Sequence, residues 1–351
     1  MLVTKQPLLR RFWYALAPVA ALEKGPVGTT LLGENLVLWL GPDGKPSCLR
    51  NRCCHRTMKL SKGRIADGTI MCPYHGWAYD ATGRCVRIPQ AENSKRKTNF
   101  KIEDFRCVAR HGVVWVALEE PLLPIPDLPE FDDPAFRLVP EFHEVWNAPG
   151  LRIMENSFDN AHFSYVHAAS FGINEEPQPA ALRIEDNAAG FDMYSDIPVK
   201  NPEIQKKNLG ISEERTVRHV VKTWWIPFAR KMRIRYPSGL IHIICTLTAP
   251  IDDRRSTVVQ FALRNDSEEQ VPAANVVAFD RQVTNEDKAI LEECDWDVPL
   301  DLKDGGEFHM PSDRPGLLMR QRLSALLRER GEAEARTPSI VRAREPAPAI
   351  S

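Results

Sequence analysis

The 351-residue sequence lacks several features that would assign it to a common class of protein. It has no run close to the eighteen or more consecutive apolar residues that a membrane-spanning helix needs, so we expect no membrane insertion. Neither sign of charge dominates, because 46 Lys and Arg face 47 Asp and Glu, which gives a formal net charge of −1. Without a field of one sign, neither nucleic acid nor an anionic membrane surface is an expected partner.

The eight cysteines also lack the spacing of a disulfide scaffold. Two of them belong to short motifs described below. Free thiols are typical of a reducing compartment, so we expect a cytoplasmic protein. The six remaining cysteines are scattered along the chain: Cys48, Cys54, Cys85, Cys107, Cys245 and Cys294.

Two short motifs combine cysteine with histidine: Cys53-Cys54-His55-Arg56 and Cys72-Pro73-Tyr74-His75-Gly76-Trp77. Sixteen residues separate the first histidine from the second cysteine. Residues 36–50 read as a β-hairpin leading into the first motif, because apolar residues flank a Gly-Pro-Asp-Gly turn. A Rieske [2Fe–2S] centre needs two thiolates on one iron and two imidazoles on the other. The pattern therefore predicts such a centre, with the ligands Cys53, His55, Cys72 and His75.

A structural zinc site is the alternative interpretation, because Cys2His2 zinc sites use the same four ligand types. Zinc sites, however, usually pair Cys with Cys and His with His, whereas each motif here is mixed. Pro73 and the Gly76-Trp77 pair also suit a tight loop packed over a cluster. The motifs therefore favour an iron–sulfur centre over a zinc-stabilised binding protein.

A second candidate metal site lies in a histidine-containing segment further along the chain. On a helix, Glu155, Asp159 and His162 stand at positions i, i+4 and i+7 and share one face. His167 lies five residues beyond His162, so the chain must bend near 164–165 for both imidazoles to reach one metal. Two histidines and a distant carboxylate form the facial triad of non-haem Fe(II) oxygenases, which leaves positions open for O2. Packed or hydrogen-bonded histidines are the alternative.

These motifs resemble those of the α subunits of Rieske non-haem iron oxygenases. The resemblance rests on the two Cys/His motifs and on the spacing Asp159-x2-His162-x4-His167, and it extends over residues 10–325. The first motif of the family usually reads Cys-Pro-His-Arg. Cys54 departs from this pattern and places an extra thiol beside the cluster.

The resemblance also implies the third iron ligand. Glu286-Asp287-Lys288 is similar to the stretch that supplies a ligand carboxylate in dicamba-demethylase-like members, which identifies Asp287 as the ligand. Asp280 and Asp295 are the substitutes. Residues 279–293 have helical periodicity, and in the alternative interpretation Thr284 caps this helix and Asp287 completes a capping box.

Asp159 has a separate role in the resemblance. In the family, the equivalent carboxylate is not a ligand but hydrogen-bonds an iron-ligating histidine. By this likeness Asp159 would link His162 to His75 of the neighbouring subunit, so that electrons cross between chains. The alternative is an ordinary carboxylate on a helix face.

We expect an α+β fold with two domains. Residues 1–120 would form an all-β Rieske domain, residues 121–330 a helix-grip catalytic domain with an antiparallel sheet, and residues 331–351 a disordered tail. The proline-rich stretch 120–129 marks the domain boundary. An amphipathic helix is predicted over 317–330. Strand-like runs in the second domain cover 218–225, 231–236, 240–250 and 256–264.

The resemblance implies an oxygenase component of an electron-transfer system. A ferredoxin or an NAD(P)H-dependent reductase would reduce the [2Fe–2S] cluster, and mononuclear Fe(II) would use O2 to hydroxylate a small aromatic or ring-containing substrate. O- or N-demethylation at the same iron is the alternative reaction. A Rieske electron-transfer protein without oxygenase activity is the alternative of another class.

Residues 310–314 are similar to a stretch of the saxitoxin-pathway hydroxylases. Those enzymes work without a β subunit, so the likeness implies a homotrimer of this chain alone. Aromatic residues at strand spacing belong more often to a core than to a pocket. The candidate pocket residues are Asn156, Phe163, Trp224, Trp225 and Phe228.

Overall fold

The computed structural model describes residues 1–91, 99–303 and 306–337. Within these residues, the N-terminal third of the chain forms ten strands and one short α-helix, α1 (Val19–Leu22). The strands are β1 (Tyr14–Pro18), β2 (Val27–Leu31), β3 (Glu34–Leu40), β4 (Pro46–Arg50), β5 (Arg64–Ala66), β6 (Thr69–Met71), β7 (Ala78–Tyr79), β8 (Cys85–Arg87), β9 (Asp104–Arg110) and β10 (Val113–Ala117). They form a six-stranded sheet, β1-β10-β9-β4-β3-β2, and a four-stranded sheet, β5-β6-β7-β8.

The hairpin predicted before the first Cys/His motif is confirmed as β3 and β4. Successive side chains of a strand point to opposite faces. Val37 and Trp39 accordingly pack against Ile70 and Tyr79 of the four-stranded sheet, whereas Leu38 packs in the core on the other face. This packing holds the loop after β4, with the first motif, against the loop between β6 and β7, with the second.

The rest of the chain builds a seven-stranded antiparallel sheet, which confirms the predicted fold class. Its strands are β11 (Arg137–Trp146), β12 (Leu182–Asn187), β13 (Gly190–Lys200), β14 (Arg215–Trp225), β15 (Ala229–Arg235), β16 (Ile241–Pro250) and β17 (Ser256–Arg264). They run in the order β11-β17-β16-β15-β14-β13-β12. The four predicted strands correspond to β14 to β17, and β11, β12 and β13 extend the sheet on both sides.

Both faces of the seven-stranded sheet are covered, so β16 and β17 are buried along almost their whole length. One face packs on the N-terminal unit, where Ile243 and Phe261 share a core with Trp115 of β10. The opposite face carries Thr246 and Gln260, which hydrogen-bond each other at 2.8 Å. Polar side chains thus point away from the apolar contact between the two units.

In the described part of the chain, five further α-helices accompany this sheet: α2 (Gly150–Phe158), α3 (Phe163–Val166), α4 (Glu203–Leu209), α5 (Ala273–Leu291) and α6 (Arg314–Glu329). α5 and α6 confirm the two helices predicted over 279–293 and 317–330. Thr284 lies in the middle of α5 and accepts a hydrogen bond from Gln260, so the capping-box interpretation is wrong. Among the described residues, no helix combines the length and apolarity needed to cross a bilayer.

The prediction that one helix carries Glu155, Asp159 and His162 is wrong. α2 ends at Phe158, and Asp159 has an extended backbone with ψ 134°. The Asp159 carboxylate accepts hydrogen bonds from the N–H groups of Ala161, at 2.7 Å, and His162, at 3.3 Å. Because an Asp side chain can satisfy nearby backbone donors in this way, it competes with continuation of a helix. The bend therefore precedes His162 instead of following it.

The first residues of the predicted disordered tail are ordered and contact the N-terminal segment. Leu2 N–H donates to the Ala335 carbonyl at 2.6 Å, and the Gln6 side chain donates to Glu332 at 2.7 Å. Residues 332–337 therefore pack along the N-terminal segment, because its unpaired polar groups offer them hydrogen-bond partners. Residues 338–351 lie outside the described residues.

Candidate metal centres

The two Cys/His loops have the same backbone design. In each loop the cysteine N–H donates to the carbonyl five residues on: Cys53 to Met58 at 2.9 Å and Cys72 to Trp77 at 2.8 Å. The fourth residue after each cysteine adopts a left-handed conformation, with φ +60° at Thr57 and +72° at Gly76. Two equivalent tight turns thus present their side chains to one site.

The four predicted cluster ligands come together between these turns. Cys53 and Cys72 are buried, and burial together with the neighbouring Cys53 sulfur raises the pKa of the Cys72 thiol. His55 is exposed and His75 half-buried, and their ring centroids lie 4.5 Å apart. Two adjacent thiols inside and two adjacent imidazoles towards the surface fit the donor set of a Rieske [2Fe–2S] cluster. The mixed pairing leaves no Cys–Cys or His–His knuckle for zinc.

Tyr79 connects the cluster loop to the unusual Cys54. Its hydroxyl lies 3.1 Å from Cys53 Sγ and 3.2 Å from Cys54 Sγ, and it accepts the Cys54 N–H at 3.3 Å. Burial, followed by the two neighbouring sulfurs, raises the pKa of Tyr79, so its hydroxyl keeps its proton. A ligating cysteine is a thiolate and only accepts, so Tyr79 donates to Cys53 when the cluster is bound. Sequence reasoning missed this residue.

The second site brings three donor atoms to one point. His162 Nε2 and His167 Nε2 lie 3.2 Å apart, and Asp287 Oδ1 lies 3.4 Å and 3.3 Å from them. Ligands at about 2.1 Å from a metal and at right angles to one another are separated by about 3.0 Å. The triangle therefore fits one face of an octahedral metal, the arrangement of a facial triad.

Carboxylates bind the outward nitrogens of both imidazoles. His162 Nδ1 lies 3.1 Å from Asp159 Oδ2, and His167 Nδ1 lies 2.8 Å from Glu286 Oε2. Such partners fix the tautomer that turns the Nε2 lone pair towards a metal. Sequence reasoning found Asp159 but missed Glu286, whose only signal was its position next to Asp287.

Asp287 is held as an ionised group. Burial opposes its ionisation, but hydrogen bonds with His162 and His167 lower the pKa of this carboxyl well below its usual value. Asn156 Nδ2 donates to Asp287 Oδ1 at 2.9 Å and fixes its orientation. An oriented carboxylate beside two imidazoles is ready to bind a divalent cation without first losing a proton.

The other carboxylates considered from the sequence lie elsewhere. Glu155 is bound by Arg320 of α6, with Oε2 at 3.0 Å from the guanidinium, and takes no part in the triad. Asp280 lies 3.1 Å from His242 in a separate buried group, and Asp295 is exposed. Of the three candidate carboxylates in and after α5, Asp287 alone adjoins both histidines.

A cavity of about 100 Å³ separates α5 from the seven-stranded sheet, and the triad opens onto it. Phe163 and Phe171 pack against the imidazoles, with centroid distances of 4.8 Å to His162 and 4.7 Å to His167. Of the predicted pocket residues, Asn156 and Phe163 line the cavity. The other three do not line the cavity, so the pocket prediction is wrong for Trp224, Trp225 and Phe228. They are buried in the core, which was the alternative interpretation.

Gly172 should be required for the geometry of the triad. A Cβ at this position would lie 2.0 Å from the Phe163 carbonyl oxygen and 3.0 Å from the His167 carbonyl carbon. We expect Gly172→Ala to displace the segment that carries His167, to destabilise the fold by about 1–3 kcal/mol and to lower the mononuclear iron content. Iron and acid-labile sulfide counts measure the loss. Gly306→Ala is the control, because its Cβ meets nothing within 4 Å, and a full iron complement in Gly172→Ala would contradict the prediction.

Tyr79→Phe should lower the reduction potential of the cluster. The reduced cluster carries one more negative charge, so the hydrogen bond to Cys53 stabilises it more than the oxidised form. Loss of about 1 kcal/mol of this preference corresponds to a shift of roughly 40 mV, which a redox titration followed by EPR resolves. Tyr194→Phe, remote from the loops, should leave the potential unchanged. An unaltered potential in Tyr79→Phe would exclude this role.

Comparison with known proteins agrees with both centres. Residues 12–108 match the Rieske [2Fe-2S] domain family, and residues 146–329 match the vanillate O-demethylase oxygenase C-terminal domain family. The chain is 28% identical over 304 residues to the methylxanthine N1-demethylase NdmA of Pseudomonas putida, which covers 84% of this chain and 83% of the relative. It is 34% identical over 166 residues to the oxygenase component of dicamba O-demethylase from Stenotrophomonas maltophilia, covering 46% and 48%.

Solved structures give the same result for the fold. The structure of Pseudomonas putida NdmA with caffeine superposes with a TM-score of 0.80 at 26% identity and covers 94% of each chain. Dicamba monooxygenase bound to dicamba superposes with a TM-score of 0.78 at 21% identity and covers 92% of this chain and 98% of that one. The chain therefore belongs to the Rieske non-haem iron oxygenases, enzymes with a [2Fe–2S] cluster and a mononuclear iron.

Proposed function

We propose that the chain is the terminal oxygenase of an electron-transfer system and hydroxylates a small ring-containing compound at an iron held by His162, His167 and Asp287. The observation that carries the proposal is the convergence of these three donor atoms within 3.4 Å at the wall of a cavity. Cys53, His55, Cys72 and His75 hold the cluster.

When bound, the iron supplies O2 activation with electrons delivered through the cluster. The protein's own contribution is to hold the ligands and shield the site. Asp159 and Glu286 accept the Nδ1–H groups of the histidines, so that both Nε2 lone pairs face the metal. Phe163 and Phe171 cover the imidazoles and exclude water from them.

Hydroxylation of a ring carbon and demethylation are two outcomes of one reaction class. Insertion of oxygen at a methyl carbon on oxygen or nitrogen gives a hydroxymethyl group, which leaves as formaldehyde. Methylxanthine and dicamba demethylases among the relatives support this outcome. Formaldehyde release coupled to O2 uptake distinguishes demethylation from ring hydroxylation.

Asp159 passes electrons from His75 of a neighbouring subunit to His162, in a homotrimer of this chain. The contact between Asp159 and His162 supports this role. The Asp159 carboxylate also borders a surface groove of about 530 Å³, where the neighbouring Phe308 side chain is fully exposed. Tyr74, next to His75, is 60% exposed as well. The exposed Phe308 lies near Asp159, and the exposed Tyr74 lies next to His75, so each end of the proposed electron path carries an aromatic residue. Such residues are typical of surfaces that become buried between subunits.

A ferredoxin or an NAD(P)H-dependent reductase supplies the electrons, and the protein works in the cytoplasm. All eight cysteines are free, which supports a reducing compartment. The exposed edge of His55 beside Trp77 leaves the cluster accessible to a protein donor.

Asp287→Asn should remove the mononuclear iron and leave the cluster. An amide cannot supply the negative charge that binds Fe(II) at this face. We expect the anaerobically purified wild-type protein to contain three irons and two sulfides per chain, and the variant two and two. Asp295→Asn, at an exposed carboxylate, should keep all three irons. Two irons in the wild-type protein would indicate an electron carrier, and zinc without sulfide would exclude both readings.

Asp159→Asn should keep most of the mononuclear iron but lose turnover by about 100-fold or more, because the amide lacks the charge that orients and couples His162. The measurement is the rate at which the reduced cluster is oxidised in a single turnover with O2. Size-exclusion chromatography with light scattering checks that the assembly is unchanged. A variant that oxidises its cluster at the wild-type rate would remove the proposed route.

A further inference from the structure

Arg218 is a buried cation that has no counter-ion among the described residues. Its side chain lines the cavity and the residue is only 6% exposed. Within the described part of the chain, neither Nε nor Nη2 has a hydrogen-bond partner. A guanidinium is always protonated, and a buried charge without a partner is costly. The fold therefore keeps an unpaired charge at this wall of the cavity.

Among the described residues, no carboxylate forms an ion pair with Arg218. Asp280 lies 3.1 Å from His242, and Asp287 adjoins the histidines of the triad. Burial, reinforced by the adjacent Asp280, raises the pKa of Glu141, which favours its neutral form. The remaining contacts of the Arg218 guanidinium are aromatic, since it lies 4.8 Å from the Phe171 ring centroid and 5.5 Å from that of Tyr236.

Two more basic side chains, Arg230 and Lys222, line the same cavity. Arg230 donates from Nη2 to Thr246 at 2.7 Å, yet its Nε is buried without a partner in the described structure. Lys222 donates to the Asn160 side chain at 3.1 Å, and burial, followed by the nearby Arg230, lowers the pKa of Lys222 to about 7. Even without Lys222, the two guanidinium groups outnumber the Asp280 carboxylate on the cavity wall beyond the triad.

The unpaired donors of Arg218 indicate which chemical group of a ligand would bind there. Nε–H and Nη2–H lie on one edge of the guanidinium, and this edge matches the two oxygens of a carboxylate. A neutral carbonyl oxygen would satisfy only one of them and would not compensate the charge.

The cavity also limits the size of the ligand. Its volume of about 100 Å³ holds roughly seven to ten water molecules. One aromatic ring with a carboxylate and one small substituent replaces about that number of waters. Phe171 contacts both the Arg218 guanidinium and the His167 imidazole. A ligand ring packed beside Phe171 therefore has one end near Arg218 and the other near the triad.

We propose that the substrate is a single-ring aromatic carboxylate and that its carboxylate pairs with Arg218. The carbon to be oxidised then faces His162, His167 and Asp287. This inference rests on the proposed oxygenase function. Arg218 is then a specificity-determining residue. It selects anionic aromatic acids over neutral compounds of the same shape, and its exposed neighbour Arg235 has no part in this selection.

The test uses binding and needs no turnover. The dissociation constants of 4-methoxybenzoate, 3-methoxybenzoate and the isosteric neutral 4-methoxybenzamide are measured by calorimetry on the anaerobic, iron-loaded protein. We expect the acids to bind about thirtyfold more tightly than the amide, and Arg218→Met to abolish this preference. Arg235→Met is the matched control and should bind like the wild-type protein.

Further readouts separate binding from structure. Since Arg218→Met removes an uncompensated buried charge, its thermal midpoint should equal or exceed that of the wild-type protein. Arg218→Lys keeps the charge without the two-donor edge, so it should lose part of the preference even if Arg218→Met fails to fold. Equal affinity of the wild-type protein for acid and amide, or no acid binding more tightly than about 1 mM, would overturn the inference.

Failure of the oxygenase function gives a different result. Acids that bind through Arg218 without any O2 uptake in the presence of a reductase would support the ligand class and contradict the proposed reaction. O2 uptake with neutral ring compounds that is unchanged in Arg218→Met would support the reaction and overturn the ligand class.

Discussion

The mononuclear centre depends on the Asp159 carboxylate and its hydrogen bonds. It accepts the N–H groups of Ala161 and His162, which ends α2, and it binds the Nδ1 atom of His162, which directs Nε2 inward. A continuous helix would have turned His167 away from His162. One carboxylate thus both breaks the helix and orients His162, a proposed iron ligand. The break allows Nε2 of His162 and Nε2 of His167, five residues apart in sequence, to lie 3.2 Å from each other.

The sheet and α5 determine what the centre can act on. β16 and β17 are buried in the seven-stranded sheet, and α5 brings Asp287 to the histidines from a distant part of the sequence. The same arrangement encloses Arg218, for which the described part of the chain offers no counter-ion. Uncompensated charge lowers stability and strengthens the binding of a complementary ligand, so a binding site can retain a residue that a structural core would exclude.

The shape of the two cluster loops is set by local backbone conformation and not by contacts between distant residues. Thr57 and Gly76 occupy equivalent left-handed positions, so two short turns of unrelated sequence adopt one shape. Tyr79 adds a hydrogen bond to the buried sulfur side, whereas His55 remains exposed on the other. In the proposed cluster site, the thiolates of Cys53 and Cys72 would be shielded from solvent and electrons would enter at the imidazole edge.

The sequence by itself predicted the two Cys/His motifs and the pair His162 and His167, because metal donors are recognisable by residue type and short spacing. Asp287 followed from the family resemblance instead. Strong periodicity predicted the main strands and helices. Only the tertiary structure decided the break at Asp159, the contact of Glu286 with His167 and the exclusion of Trp224 from the cavity. It also decided that Nε and Nη2 of Arg218 find no hydrogen-bond partner within residues 1–91, 99–303 and 306–337. These features depend on which distant side chains meet, and neither local spacing nor hydrophobic period carries that information.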